Sequence, residues 1–305
     1  MVWTTLSATG DSRIAFFLLK YVVMAAGLVA YYQAGRLVIR DDALAALATI
    51  GLLSTVSIGY LPLIDLMHTV LLTTMLTALL WIVARVVEFG RWRDYLLLGA
   101  ILALGTLSKY IFVMLPITLA VGVVLTPGLR ARLRPARLLA TLAVAALLVA
   151  PFGWWVVHQE QTFFSLAEAA THSAGPSADP LRWQREPARI ALALVSFVVP
   201  SALLFPFLYR QACVPIPGAR NDAAEDDNRD WQHVYLIAMS AGALAMLGAV
   251  FFVGTTSFKT RWMHEIALAF FIWFFLRVRI AGAAAEAHRK FVVFAFGFMV
   301  VVALA

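Results

Sequence analysis

An apolar stretch near the start of the chain decides the fold. Residues 14–39 read IAFFLLKYVVMAAGLVAYYQAGRLVI and contain two charged residues, Lys20 and Arg36. About 20 mostly apolar residues are enough for an α-helix to cross the hydrocarbon core of a bilayer. Because every backbone amide in that core needs a partner within the protein, the stretch predicts a membrane-spanning helix.

Further apolar runs follow along the rest of the chain. They lie near residues 43–61, 69–87, 95–108, 111–126, 138–157, 190–209, 234–253, 264–276 and 291–305. Hydrophobic residues make up 62% of the chain and charged residues 13%, whereas charged residues are about a quarter of a typical soluble domain. A membrane β-barrel would need alternating polar positions, which these runs lack. We therefore predict an all-α integral membrane protein, a polytopic helical bundle of about ten segments in a single transmembrane domain, residues 1–305.

The basic residues indicate how the chain is oriented. The formal net charge is +7, but most basic residues are arginines at the ends of the apolar runs, so they predict no nucleic-acid partner. Cytoplasmic loops of membrane proteins are enriched in Lys and Arg. This rule places the start of the chain outside, an outer loop at about residues 158–189 and a cytoplasmic linker at about residues 211–232. We expect a multi-pass protein of the cell inner (plasma) membrane, with a flexible, solvated linker.

Asp65 and His68 lie in a short turn between two of the runs, in the sequence PLIDLMH. Three residues apart at the start of a helix, the carboxylate and the imidazole would share one face and suit metal or hydroxyl binding. Asp65 could also cap the following helix by accepting hydrogen bonds from its free amides. The two interpretations are compatible, and both stay open.

Lys109 lies between two short apolar runs, next to Tyr110. We expect these runs to form a tight helical hairpin with Lys109 at its turn. A lone lysine could extend to the lipid headgroups instead. That role does not require two helices to be interrupted at the same point, so we interpret Lys109 and Tyr110 as binding residues.

Residues 258–265, FKTRWMHE, form a third polar turn. The turn is predicted to lie on the outer side, where cations are less common than on the cytoplasmic side, so its two cations call for an explanation. Lys and Arg hold phosphate groups by charge-assisted hydrogen bonds, so the turn predicts a phosphate or pyrophosphate site, although Trp262 also fits an anchor at the membrane interface. The substrate-binding residues predicted in this turn are Lys259, Arg261, His264 and Glu265.

The sequence contains none of the motifs that mark soluble enzymes. It has no glycine-rich phosphate loop, no GxSxG nucleophile elbow and no HExxH zinc motif. A single cysteine, Cys213, excludes a metal site built from several cysteines. We predict no certain cofactor, and a divalent metal ion stays open.

Three stretches resemble one family. Residues 90–99, GRWRDYLLLG, followed by LALGTLSKYIFVMLP, resemble bacterial polyprenyl-phosphate-sugar glycosyltransferases of the aminoarabinose-transferase and protein O-mannosyltransferase (GT-C) superfamily. FKTRWMHEIALAFFIWFFLR is similar to an outer turn and helix of that family, and GDSRIAFFLLKYVVMAAGLVAYYQAGRLVI is similar to its second transmembrane helix. The resemblance spans nearly the whole chain.

The resemblance implies a GT-C-like fold and transfer of a sugar from a polyprenyl-phosphate carrier to an acceptor at the outer membrane face. It implies that Lys109 and residues 259–261 contact the carrier phosphate and that Asp65 lies near the sugar. The implied partners are membrane lipid, the polyprenyl-phosphate-linked sugar and a glycan, lipid or protein acceptor. The family's key acidic residue lies in a first outer loop, and residues 1–11 resemble only the tail of that loop. We therefore name no catalytic residue and expect the first helix and first outer loop of the family to be missing.

Two other classes of protein are weighed against a membrane glycosyltransferase or a truncated copy of one. A lipid or solute transporter predicts ionisable residues near the middle of the membrane and inverted repeats, and we find neither in the sequence. A non-catalytic membrane scaffold would fit a chain without the first outer loop. The glycosyltransferase is the leading hypothesis because cations in outer turns suit an anionic leaving group.

Overall fold

Helices make up nearly all of the chain that the structure describes. The structure, a computed structural model, describes residues 12–55, 58–59, 67–158, 188, 191–192, 201–214, 223–248, 264–282 and 285–304. In chain order the α-helices are α1 (Ser12–Ile39), α2 (Asp42–Leu53), α3 (Met67–Phe89), α4 (Trp92–Ser108), α5 (Met114–Leu125), α6 (Pro127–Arg130), α7 (Pro135–Val157), α8 (Ser201–Leu208), α9 (Arg210–Cys213), α10 (Ala223–Gly248), α11 (His264–Ala281) and α12 (Ala285–Leu304). A short 3₁₀ helix, Tyr110–Val113, joins α4 to α5. These residues contain no strand, so the predicted all-α class is confirmed.

Some of the helices are long and apolar enough to cross a membrane. Among the described residues, three meet both conditions of length and composition: Ile14–Ile39, Thr69–Phe89 and Pro135–Val157. Two shorter apolar helices accompany them, Asp42–Leu53 and Ile111–Leu125. The protein is therefore a helical membrane protein.

Local sequence signals set several helix ends. Asp41 caps α2, because its side chain accepts a hydrogen bond from the amide of Leu44 at 3.0 Å. Arg40, Gly90 and Gly282 follow α1, α3 and α11 with φ angles of 56°, 57° and 68°. This left-handed conformation is the usual way to end a helix, and glycine adopts it without strain. Arg40 is the exception among the three.

Ion pairs between helix ends define one end of the bundle. Arg40 contacts Glu88 at the end of α3 at 3.3 Å and Asp227 near the start of α10 at 2.8 Å. Arg132, which follows α6, contacts the same two carboxylates at 3.7 and 2.6 Å. We call this the charged end, defined by Arg40, Glu88, Arg132 and Asp227. Helices α1, α3, α5 and α11 run toward it, and α2, α4, α7, α10 and α12 run away from it.

The opposite end of the bundle is defined by Lys20, Thr69 and Lys109, and we call it the lysine end. Two contacts show that helices α1 and α3 pack in parallel. The Thr74 hydroxyl donates to the Val23 carbonyl at 3.0 Å, and further along both helices Arg40 contacts Glu88. These two contacts join residues 51 and 48 positions apart. The same offset places Lys20 beside the first turn of α3, which contains Thr69.

The buried core is rich in aromatic rings at the contact of α8, α11 and α12. Phe205 stacks on Phe274 with ring centroids 3.8 Å apart and contacts Phe271, Phe275 and Phe291. Nearer the start of α11, the Leu268 carbonyl accepts a hydrogen bond from the Tyr31 hydroxyl at 2.6 Å, which ties α11 to α1. Helix α11 is thereby held beside the first two helices of the chain.

The structure corrects two sequence predictions. Residues 223–232, predicted to belong to a flexible linker, form the first turns of α10, and Asp227 and Trp231 are buried there. Asp227 lies just past the first turn of α10, and its carboxylate is compensated by arginines from other parts of the bundle. The tight hairpin at Lys109 is also wrong: α4 packs against α7 and α3, whereas α5 packs against α10. The turn itself is present, but its two helices diverge and leave a cavity between them.

Candidate functional site

The lysine end contains all five of the predicted binding residues that the structure describes. His68 lies in the first turn of α3, Lys109 directly follows α4, Tyr110 begins the 3₁₀ helix, and His264 and Glu265 begin α11. For His68, Tyr110, His264 and Glu265 the helix position is described and the side chain is not. Asp65, Lys259 and Arg261 lie outside the described residues. Their convergence on one site therefore stays a prediction.

The backbone at Lys109 is held by close packing. Lys109 is extended, with φ −160° and ψ 137°, so it interrupts the helix. Its amide donates to the Gly105 carbonyl at 3.2 Å, and its own carbonyl accepts from the Phe112 amide at 3.1 Å. The buried Phe112 ring lies directly over Gly105, where a Cβ atom would come within 2.2 Å of the ring. Glycine at 105 is thus required for this turn to close.

The Lys109 side chain points into the bundle. Its Nζ lies 3.5 Å from the Thr69 hydroxyl oxygen, a long hydrogen bond to the buried first turn of α3. Lys109 itself is half-buried. A lysine that served only as a lipid anchor would extend outward to the headgroups, so this geometry favours the binding interpretation.

Lys20 is a buried cation that is not among the binding residues predicted from the sequence. It lies within α1, is 3% exposed, and stands beside the same turn of α3 that Lys109 contacts. A charged side chain buried in an apolar membrane helix is costly and usually marks a functional position. The signal was present in the sequence, since Lys20 interrupts the longest apolar run near the chain start.

The described part of the chain offers no metal site. Within it, no three His, Cys, Asp or Glu side chains lie close enough together to hold a metal ion. The pair predicted for that role, Asp65 and His68, has no described side chains. A divalent metal ion at this pair stays a prediction.

The charged end was not foreseen as an organised cluster. Asp227 is 4% exposed and lies between Arg40 and Arg132, so its negative charge is compensated on both sides. One turn later, burial together with the nearby Asp227 carboxylate raises the pKa of Asp230. The sequence shows a run of carboxylates here but not the arginines that face it. The cluster ties α1, α3 and α10 together and does not resemble a substrate site.

Residues 90–99, which carried part of the family resemblance, pack helices together. Asp94 is buried and contacts Arg85 of α3 at 2.8 Å. The Tyr95 hydroxyl accepts from the Arg134 amide at 3.0 Å, and the Tyr95 carbonyl accepts from the Thr141 hydroxyl at 2.8 Å. This stretch therefore holds α4 against α3 and α7, and so fixes the helix that carries Lys109.

A comparison with protein families identifies the first half of the chain. Residues 1–155, which include α1 to α6 and most of α7 with Lys20, Thr69 and Lys109, match the family described as dolichyl-phosphate-mannose-protein mannosyltransferase. The chain belongs to this family. Its members are membrane glycosyltransferases of the GT-C superfamily, so the resemblance inferred from the sequence is confirmed.

Two relatives of this mannosyltransferase-family chain come from Rhizobium johnstonii. The lipopolysaccharide core galacturonosyltransferase RgtA is 27% identical over 92% of the chain and 55% of its own length. The lipopolysaccharide core galacturonosyltransferase RgtB is 25% identical over 95% of the chain and 57% of its own length. The chain thus spans about half the length of the curated relatives it matches. No solved structure matches it significantly.

Proposed function

We propose that the protein is a membrane glycosyltransferase that takes a sugar from a polyprenyl-phosphate carrier and transfers it to an acceptor at the outer face of the inner membrane. The observation that carries this proposal is the family match over residues 1–155, the part of the chain that holds both lysines of the lysine end. The lysine end would face outward, as the distribution of arginines predicts.

The chemistry of the leaving group explains why cations stand at this end. When the bond between the sugar and the carrier breaks, negative charge grows on the carrier phosphate. Cations already fixed near that phosphate stabilise this charge without having to reorganise. Lys109 is fixed by the Gly105 and Phe112 packing, and the Lys20 side chain is buried near the start of α1. Lys259 and Arg261 would complete the phosphate site.

The relatives suggest which sugar and acceptor to test first. RgtA and RgtB are named as transferring galacturonic acid to the lipopolysaccharide core. A uronic acid adds a carboxylate to the carrier phosphate, so the donor would present two anionic groups to the lysine end. We propose a polyprenyl-phosphate-linked galacturonic acid as donor and a lipopolysaccharide core as acceptor.

The experiment is sugar transfer in membranes. Membranes containing the full chain would be incubated with radiolabelled polyprenyl-phosphate galacturonic acid and lipopolysaccharide core, with membranes lacking the chain as the control. The proposal expects labelled core above the control. The same donor carrying glucose tests the choice of sugar separately. If neither donor gives label above the control, the proposal of transfer to a lipopolysaccharide core is wrong.

A further inference from the structure

An apolar cavity of about 320 Å³ lies where α4 and α5 diverge, walled by α3, α4, α5 and α7. Thr141 is the single polar residue in its lining. Its volume is at the lower end of the roughly 300 to 1,000 Å³ found for small-molecule sites. The cavity is thus large enough for a ligand, and its wall suits a hydrocarbon.

The cavity opens to the outside of the described bundle. Ala120 of α5 and Leu142 of α7 line it and are also exposed on the bundle surface. Its lining on α3 runs from Leu79 to Val87, which is about 12 Å at the helical rise of 1.5 Å per residue. An elongated apolar space open to the bilayer gains contact energy when a lipid chain fills it.

The cavity extends to the turn at Gly90, on the side of the bundle that has the charged end. Val86 and Val87 line it just before this turn, and Leu133 and Leu138 line it beside α7. Three arginines gather at the same turn. Arg137 donates to the Gly90 carbonyl, Arg134 Nε lies 3.6 Å from the place a Cβ on Gly90 would occupy, and Arg91 follows Gly90 in the chain.

These three arginines carry positive charge that the nearby carboxylates do not neutralise. Glu88 is paired with Arg40 and Arg132, and Asp94 is paired with Arg85. In the part of the chain that the structure describes, no carboxylate pairs with Arg91, Arg134 or Arg137.

An aromatic side chain places this turn at the depth of the lipid headgroups. The Arg137 guanidinium lies over Trp92, which is 53% exposed. Exposed tryptophans concentrate at this level of a membrane. A cluster of cations at headgroup depth, next to an apolar cavity, matches the two chemical parts of a phospholipid.

We propose that this region binds an anionic phospholipid, with its phosphate at Arg91, Arg134 and Arg137 and one acyl chain in the cavity. Basic pockets between membrane helices on the cytoplasmic side are known to bind anionic headgroups. The site lies at the opposite end of the bundle from Lys20 and Lys109. It is therefore a second lipid site and does not depend on the proposed transfer reaction.

The test is lipid retention by the purified full chain, measured by native mass spectrometry. The chain would be incubated in neutral detergent with dioleoyl phosphatidylglycerol or with dioleoyl phosphatidylcholine. We expect preferential retention of one phosphatidylglycerol. The double variant Arg134→Gln with Arg137→Gln should weaken its binding by roughly 25-fold, about fivefold for each arginine. Ala120→Phe, which fills the cavity and keeps the arginines, should weaken binding of both lipids.

Two matched variants control for charge and for bulk. Arg210→Gln removes an exposed arginine of α9, and Ala150→Phe adds a ring to an exposed position of α7 outside the cavity lining. Both should bind phosphatidylglycerol like the unchanged chain, as should the unchanged chain in excess inorganic phosphate, which has no acyl chain.

Several outcomes would overturn the phospholipid site. They are equal retention of the two lipids by the unchanged chain, full retention by Ala120→Phe, or displacement by inorganic phosphate. Variants would be compared only if they elute as a single species with unchanged helix content. Arg91→Gln, at the exposed turn, replaces the double variant if the latter does not fold, and retention unchanged in Arg91→Gln then overturns the headgroup contact.

Discussion

Lys20 and Lys109 are cations whose side chains point into the bundle at the lysine end. Lys20 is almost completely buried, and Lys109 reaches inward to the buried Thr69. If the lysine end binds the carrier phosphate, each lysine would stabilise the negative charge that grows on that phosphate, so replacing either one should slow transfer.

Replacing Lys109 should slow transfer strongly. If Lys109 contacts the carrier phosphate as proposed, Lys109→Ala removes one donor to the developing anion, and the loss of such a donor typically costs on the order of 3 kcal/mol, or about a hundredfold in rate. Lys109→Arg should rescue only part of the rate, because a planar guanidinium does not fill the place of a compact ammonium. The control is Trp154→Phe, a change in a ring that is 71% exposed. Transfer rates near normal in Lys109→Ala would leave Lys109 with an anchoring role only.

Lys20→Met tests whether the buried lysine acts on the reaction or only on the fold. The change keeps most of the side-chain volume and removes the charge. If Lys20 supports the phosphate site, the transfer rate per folded protein should fall by at least about tenfold, which corresponds to about 1.4 kcal/mol. The melting temperature would be measured in parallel. A lower melting temperature with an unchanged rate would show that Lys20 is structural.

Asp227 and Asp230 form a natural pair of test and control at the charged end. Asp227→Asn removes the charge between two arginines and should destabilise the fold by about 2 to 3 kcal/mol, below the value for a fully buried pair because both arginines are partly exposed. Burial already raises the pKa of Asp230, so Asp230→Asn should cost less than about 1 kcal/mol. Thermal unfolding in detergent measures both. Equal effects would contradict the role given to Asp227.

Arg40 of the charged end has a strained, left-handed backbone conformation. The left-handed conformation costs a residue other than glycine about 1 to 2 kcal/mol. The corresponding positions after α3 and α11 are Gly90 and Gly282. Arginine is present at position 40 because its side chain contacts Glu88 and Asp227, which a glycine could not do.

Among the helices, α4 matters most because it carries Lys109 at its end. Its first turns are tied to α3 through Asp94 and to α7 through Tyr95. Its last turn is closed by Phe112 over Gly105. The position of the Lys109 amine thus depends on packing at both ends of one helix.

A change at Gly105 should disturb the Lys109 turn without touching the lysine. Gly105→Ala puts a methyl group into the Phe112 ring, and overpacking of this kind costs about 1 to 3 kcal/mol. Transfer should fall, and the second change Phe112→Leu should restore part of it by making room. Gly153→Ala is the matched control, because nothing lies within 4 Å of its new Cβ atom. A normal rate in Gly105→Ala would show that the turn tolerates displacement.

For the bundle as a whole, the two ends should face opposite sides of the membrane. Cys213, the single cysteine, is exposed in α9 near the charged end and serves as a native reporter. A membrane-impermeant thiol reagent should label it only after the cells are permeabilised, because the charged end carries the arginines expected in the cytoplasm. With Cys213→Ser, Ser177→Cys should instead be labelled in intact cells. Labelling of Cys213 from outside would reverse the orientation.

Local sequence determined the class of this protein and the ends of several of its helices. Whether an apolar run can span a bilayer depends only on its own length and composition. Helices α1, α3 and α7 could therefore be predicted without knowing which helices they pack against. The break at Lys109 was likewise visible, because a cation interrupts two apolar runs. The family resemblance could also be recognised from local sequence. The contacts of Asp94 and Tyr95 could not be predicted in this way.

Tertiary structure decided which charges meet. Asp227 belongs to a carboxylate-rich stretch that predicts a flexible linker, and only the directions of α1 and α10 bring Arg40 to it. Lys20 stands near Thr69 because α1 and α3 pack in parallel, which neither helix encodes alone. The two helices that meet at Lys109 diverge because α5 packs against α10 and not against α4. Such pairings depend on helix register across many residues, and apolar periodicity in a membrane helix leaves that register open, since lipid and protein neighbours are similarly apolar.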